Sequence, residues 1–475
     1  MASLSQSMAS FIQRLDTAHM PPEIVEKARV CLLNACGMGL NSHDTPYAPV
    51  ARAAALAMDG EQRDGATLLG DGRKTSIGGA CLANAALFHG RTQEDTCGAA
   101  HFGTILIPLL TALIERRGYP VDRLVPALVA GYEAGGLLEQ AFAGSTTPAG
   151  LRSTALYGAV AAAAAAGKLM ALDEQSLSAA LANAASFSGG ILQSFAEGTD
   201  EWRYQVGVVG RAGWLAAELA KAGSVSAAQA FEGKAGFARV FARSDCDADA
   251  LAATLGRDWA ILRVTFKPFP VCAFNQTPVT AALALREKLG GAGLRAVRVR
   301  MNPYETGYAG MDADGPFASI SGTLMSIPFC IAATLLYGVP DMKRMTTYDD
   351  PKVNELIGRI RLITDAEVRT LSAVIEVDTA DGRTVVQNQQ MTAKDYAYDR
   401  ATVSKLIRRI GNEQGVPATA FDRLEAFIDR WPATSIAEVL VSFAMIEPKR
   451  KAAQPLAHFR RDRLDSPLAL VPRES

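Results

Sequence analysis

The stretch RTQEDTCGAAHFGT, residues 91–104, gathers groups that move protons. The imidazole of His101 titrates near neutral pH and can take or give a proton. Asp95 would orient it, and Thr96 would donate a hydrogen bond to a carboxylate. Gly103 and Thr104 precede the apolar run ILIPLL, and free N–H groups at that helix start favour an anion. The same residues also allow a quieter arrangement, in which Asp95 and Thr96 cap a helix and His101 only packs. In VTFKPFPVCAFNQTP, residues 264–278, Lys267 lies between Phe266 and Pro268. Partial burial there suits a base or a cation for a substrate carboxylate, and equally a Lys that only snorkels. Cys272 and Gln276 follow on the same segment.

Two arginines add carboxylate chemistry. EGTDEWRYQVG, residues 197–207, offers Arg203 and Tyr204, and an Arg in a polar island can clamp a carboxylate with two parallel bonds. A surface loop is the alternative. In AGLRSTALYG, Arg152 precedes a Ser-Thr pair that can cap an Ala-rich helix. A helix dipole disfavours a guanidinium at that end, so Arg152 calls for a counter-anion.

Other classes of function fall away. The 475 residues carry 48 Lys and Arg against 49 Asp and Glu, so no basic field marks a nucleic-acid partner. Seven Cys without a CxxC spacing and five scattered His make a poor metal set, and read as free thiols of a reducing cytoplasm. The first twenty residues lack the basic and apolar blocks of a secretory signal. The most apolar stretch, TALYGAVAAAAAAGKLMAL, is interrupted by Gly158, Gly167 and Lys168, which suits close helix packing better than a membrane span. There is no P-loop, GxGxxG, nucleophile elbow or HExxH, so neither a cofactor nor a metal is expected.

The elements that must position these groups change character along the chain. Residues 1–264 read as Ala- and Gly-rich helices. PPEIVEKARVCLLNACGMGL has Pro at its start and apolar residues at three- and four-residue spacing. Asp173 is the expected cap of the helix that follows it. LRAVRVRMNPYE alternates with a period of two, and SAVIEVDTADGRTVVQNQ is a hairpin turning at Asp381-Gly382. Residues 265–399 therefore form an α+β unit, which also holds the helical GTLMSIPFCIAATLLYG. Residues 400–446 turn helical again and return to the first unit, and 447–475 form a Pro- and Arg-rich tail. The expected fold is mainly α: a large helical domain from both chain ends, with a smaller α+β domain inserted.

Taken in order, these stretches resemble the MmgE/PrpD family, which includes 2-methylcitrate dehydratases, cis-aconitate decarboxylases and iminodisuccinate epimerases. The blocks that carry the likeness include CLANAALFHGRTQEDTCGAAHFGTILIPLLTAL, GTDEWRYQVGVVGRAGWLAAELAKAG, KPFPVCAFNQTPVTAAL and SIPFCIAATLLYG. The resemblance implies a lid-like inserted domain, a homodimer and no cofactor. It carries Asp95, Thr96, His101 and Lys267 over as active residues. The family's leading loop Asp falls on Thr92, a usual His on Arg152, a usual Lys on Trp202, and another usual His on Gln276. The implied activity is a lyase, a dehydratase or decarboxylase, moving a proton beside a carboxylate of a small polycarboxylate or related acid. His101 and Lys267 would be the proton carriers, with Arg152, Arg203, Tyr204, Gln276 and Cys272 around the substrate. Isomerisation or epimerisation through the same carbanion is the neighbouring possibility, and a catalytically weak metabolite-binding protein is the other.

Overall fold

A computed structural model describes residues 2–446. The tail assigned to 447–475 lies outside them. The first half is helix upon helix: α1 (Leu4–Arg14), α2 (Pro22–Asn41), α3 (Tyr47–Asp59), α4 (Ile77–Phe88), α5 (Gly103–Arg117), α6 (Leu124–Thr146), α7 (Ser153–Leu169), α8 (Glu174–Ser186), the short α9 (Gln193–Glu197) and α10 (Glu201–Lys221). A two-residue ribbon, β1 (Ala66–Thr67) with β2 (Lys74–Thr75), interrupts them. Pro22 opens α2, and Asp173 caps α8 by accepting from the Ser176 N–H at 2.7 Å.

Small residues decide how closely these helices approach. A Cβ at Gly207 of α10 would stand 2.6 Å from the Leu82 Cα of α4, and one at Gly213 would strike the Ala159 carbonyl of α7. The run Ala161–Ala166 of α7 is wholly buried. Such a core is filled by backbone proximity more than by large side chains.

The α+β part holds α11 (Gln276–Leu289), β3 (Leu294–Met301), α12 (Ile320–Met325), α13 (Ile327–Tyr337), β4 (Ile360–Thr364), β5 (Ser372–Thr379) and β6 (Thr384–Gln390). The sheet order is β4-β3-β5-β6, with β3 and β4 parallel and the other pairs antiparallel. Val297, Val299, Ile375 and Val377 face the buried side, while Arg298 pairs with Glu376 and Asp378 on the other. That is the alternation read from the sequence. Two features differ from the expectation. The helical run after Gly322 breaks at Ser326, whose hydroxyl caps the next helix at the Phe329 N–H, because Pro328 opens a new first turn. β4 adds a parallel edge strand that the sequence pattern did not show.

The chain then forms α14 (Arg400–Gln414), α15 (Ala418–Arg430) and α16 (Ala437–Ala444). Their apolar residues join the core built by residues 4–266. A second core runs from Phe269 to Val377 and takes in Tyr47, Leu192, Phe195 and Trp202 from the first half. Lys267 lies between Phe266 of one core and Phe269 of the other.

Candidate active site

Residues 91–97, between α4 and α5, are buried, so this loop is no solvated turn. Two isolated backbone bonds tie Thr96 to Thr265, which draws the 264–269 segment alongside. Thr92 has φ +62°, a strained value for a β-branched residue. The strain aims its carbonyl at the Lys267 Nζ, 3.1 Å away.

The same ammonium lies 2.6 Å from Glu94 Oε1, and both side chains are buried. Burial alone would raise the Glu94 carboxyl. The Lys267 charge, with the imidazoles of His89 and His101 close by, outweighs it and holds the group well below the usual carboxylate range. Glu94 is thus an internal carboxylate with three basic neighbours.

The two imidazoles have tautomers fixed by their partners. His101 Nδ1 is 2.8 Å from the Asp95 carbonyl oxygen, which can only accept, so Nδ1 carries the proton. Nε2 is then a lone pair, 3.7 Å from Glu94 Oε1. Burial first, then the nearby Lys267 charge, holds the His101 pKa well below 6.5. His101 is therefore a neutral base. His89 has the same tautomer but no free nitrogen. An Arg152 N–H donates to its Nε2 at 2.7 Å, so its proton is on Nδ1, which faces Glu94 Oε2 at 3.2 Å. Burial pushes its pKa down to about 4. Both of its nitrogens face protein partners.

His101, Lys267, Thr96 and Cys272 line one cavity, together with Thr92, Gly98, Ala99, Phe195, Trp202, Ala273, Phe274, Tyr308 and Met325. The Thr96 hydroxyl is buried without a protein partner. The loop's small residues leave room there: Gly98 has φ +60°, and a Cβ on it would collide with the Glu139 carboxylate that accepts from the Ala99 N–H. The cavity is narrow and partly open, with a volume of about 40 Å³.

Five residues expected at the site do something else. The Asp95 carboxylate turns away from His101 and accepts from the Tyr132 hydroxyl at 2.6 Å; only its backbone carbonyl orients the imidazole. Its side chain also lies near Gly103 at the start of α5 without a capping hydrogen bond there, and burial pushes it up to about 6 despite the Tyr132 bond. Arg152 is engaged by the Trp202 carbonyl, Gln205 and His89. Arg203 donates to the carbonyls of His89 and Gly90, each at 2.7 Å. Tyr204 is half-buried beside Leu82 and Leu56, outside the cavity lining. Gln276 ties its amide to Phe269, Val271 and Cys272, bracing the turn after Lys267.

Residues 6–248 match the MmgE/PrpD N-terminal domain, and residues 269–408 match the MmgE/PrpD C-terminal domain. The chain belongs to the MmgE/PrpD family. It is 24% identical over 385 residues to a cis-aconitate decarboxylase of Aspergillus terreus, covering 76% of this chain and 78% of that relative. A cis-aconitate decarboxylase-like protein, oryM, of Aspergillus oryzae is 23% identical over 414 residues, 81% of this chain and 85% of the relative. Family and relatives together place this MmgE/PrpD chain among enzymes of the lyase type.

Sequence reasoning passed over three members of the site. Glu94 stands one residue before Asp95 and is the carboxylate that faces both His101 and Lys267. His89 closes α4 and was only part of a run ending in Gly90. Tyr308 brings a phenol to the cavity, raised above its ordinary pKa by burial. Glu94 lay within the quoted motif, so its signal was present; nothing marked the other two. Among the described residues no group of three or more His, Cys, Asp and Glu is arranged to hold a metal, and no helix is long and apolar enough to cross a membrane.

Proposed function

We propose that this MmgE/PrpD enzyme is a cofactor-independent lyase that moves one proton at a carbon beside a carboxylate of a small acid, with His101 as the carrier. The observation behind this reading is the His101 tautomer: Nδ1–H on the Asp95 carbonyl leaves the Nε2 lone pair beside the Lys267 ammonium in one cavity. In an elimination, Nε2 takes the proton, and the C–H electron pair passes into the adjacent carboxylate as an enolate-like dianion. Lys267 stabilises that charge, because two of its donors hold Thr92 and Glu94 and the third is left for substrate. Tyr308 supplies the proton that leaves with the departing hydroxyl. In a decarboxylation, the C–C bond breaks, carbon dioxide departs, and a protonated His101 delivers its proton to the carbanion. A bound carboxylate would favour that protonated state, since it adds negative charge beside the ring.

Among the described residues lining the cavity His101 is the single imidazole, which favours elimination or decarboxylation over epimerisation through a second base on the opposite face; His89 has both nitrogens facing protein partners. A mobile α+β unit and a homodimer belong to the same proposal. Light scattering should give twice the chain mass of 50.3 kDa.

The test is hydrogen–deuterium exchange and product formation, followed by NMR in heavy water over a panel of small hydroxy and unsaturated acids. Exchange or turnover with wild type, reduced about 10²- to 10⁴-fold in His101→Ala, is the expected result. Exchange that is absent with every acid, or equal in the variant, overturns the reading.

A further inference from the structure

The cavity has two unlike walls. One carries Thr92, Thr96, His101 and Lys267, and the other carries Phe195, Trp202, Phe274, Tyr308 and Met325. Positive charge is abundant nearby, yet little of it meets the open space. Arg152 and Arg203 lie 5.4 Å and 4.1 Å from the Trp202 ring centre, and their terminal guanidinium nitrogens donate to protein acceptors. The indole lies edge-on to His89 at 4.7 Å, contacts Phe195 at 5.0 Å and donates to Ser321 at 3.1 Å. It is therefore held rigidly and is itself part of the cavity wall, which neither guanidinium is.

Among the described residues, Lys267 is the only Lys or Arg lining the cavity, and Glu94 already shares its charge. One substrate carboxylate can take the remaining N–H. A second or third would meet Phe195, Trp202, Phe274 or Met325, or at best the neutral hydroxyls of Thr96 and Tyr308. A buried carboxylate without a cation is strongly disfavoured, whereas a flat unsaturated body suits an aromatic wall.

We propose that the site selects an acid bearing a single carboxylate on a flat, apolar body, and that Trp202 is the specificity-determining residue. This rests on the proton-transfer reading above and names its substrate class. It also sets this chain apart from relatives named for cis-aconitate, a tricarboxylate.

The experiment is calorimetric titration of the full chain carrying His101→Ala, so that bound acids do not turn over. The probes are crotonate, mesaconate and cis-aconitate, which share a carbon–carbon double bond and carry one, two and three carboxylates. The expected order is crotonate tightest, with about tenfold weaker binding for each added carboxylate. Adding Trp202→Lys should reverse the order, and adding Trp202→Phe should preserve it. Cis-aconitate binding as tightly as crotonate, or an unchanged order in a folded Trp202→Lys protein, overturns the proposal. If Trp202→Lys does not fold, the order in the Trp202-containing protein decides alone. Crotonate that binds without any wild-type proton exchange removes the chemistry and leaves the selectivity. Failure of all three acids to bind removes the selectivity, while exchange with other acids would leave the chemistry standing.

Discussion

Lys267 and Arg203 grip the same strained residue from two sides, with different consequences. Lys267 donates to the Thr92 carbonyl and to Glu94, and still faces the cavity. Arg203 donates to the carbonyls of His89 and Gly90, lies near the Thr92 hydroxyl, and is sealed between the rings of Tyr47 and Trp202. Both are buried cations beside one loop, but only one is open to a ligand. The difference teaches that a basic residue in a polar stretch reveals chemistry only once its acceptors are known. Arg203 fixes the course of the loop, and Lys267 uses the loop to reach the cavity.

The largest effect expected from breaking this contrast is on the Lys267 side. Lys267→Met should abolish turnover and also destabilise the fold by roughly 3–5 kcal/mol, because it leaves Glu94 as a buried unpaired charge. Urea unfolding beside an activity assay reads both. Lys267→Met with Glu94→Gln should recover most of the stability and none of the activity. Recovery of activity in the double variant would show that Lys267 serves only to neutralise Glu94.

Arg203→Met sharpens the other half. It should lower stability by about 2–4 kcal/mol, as the His89 and Gly90 carbonyls lose charged donors. Acid affinity in the folded fraction should change by less than about threefold. A loss of affinity beyond tenfold, without a matching loss of stability, would make Arg203 a substrate ligand after all.

A smaller effect concerns the scaffold that holds these loops. Glu133 of α6 accepts from the N–H groups of Ala260 and Ile261, at 3.0 Å each, and burial pushes it up to about 7 from an ordinary 4.5. Between those pH values the folded chain binds the extra proton, so this group's stabilisation is lost as pH rises from 4.5 to 7. His89 acts oppositely: its pKa of about 4 against an ordinary 6.5 means stability is lost as pH falls from 6.5 towards 4. Glu133→Gln should flatten the first slope by up to about 3 kcal/mol across that range, leaving the parallel shares of Asp95 and Glu305, raised to about 6 and about 7 by burial, and should leave the second. Thermal unfolding from pH 4 to 8 distinguishes them.

The sequence displayed the fold more fully than the site. Hydrophobic period alone separated the Ala-rich helices from the alternating LRAVRVRM and the Asp381-Gly382 hairpin, and those elements stand as read. β4 escaped because IRLIT is too short to show its alternation. His101 and Lys267 stood out by residue type and spacing, and the structure brings both to one cavity. The direction of a carboxylate was not legible: Asp95 and Glu94 are adjacent and chemically alike, yet one faces Tyr132 and the other faces Lys267. That choice depends on which helix each side chain meets, information held by contacts far apart in the chain. The partners of Gln276, Arg152 and Arg203 were hidden for the same reason, since they are backbone groups and side chains far along the chain that no local pattern announces.

The most direct measurement is a ¹⁵N NMR titration of the histidine side chains in the full chain, with His101 assigned through His101→Ala. At pH 6.5 and without ligand, the account predicts a neutral His101 ring with its proton on Nδ1 and a bare Nε2. A charged ring at that pH, or a neutral ring protonated on Nε2, would contradict it.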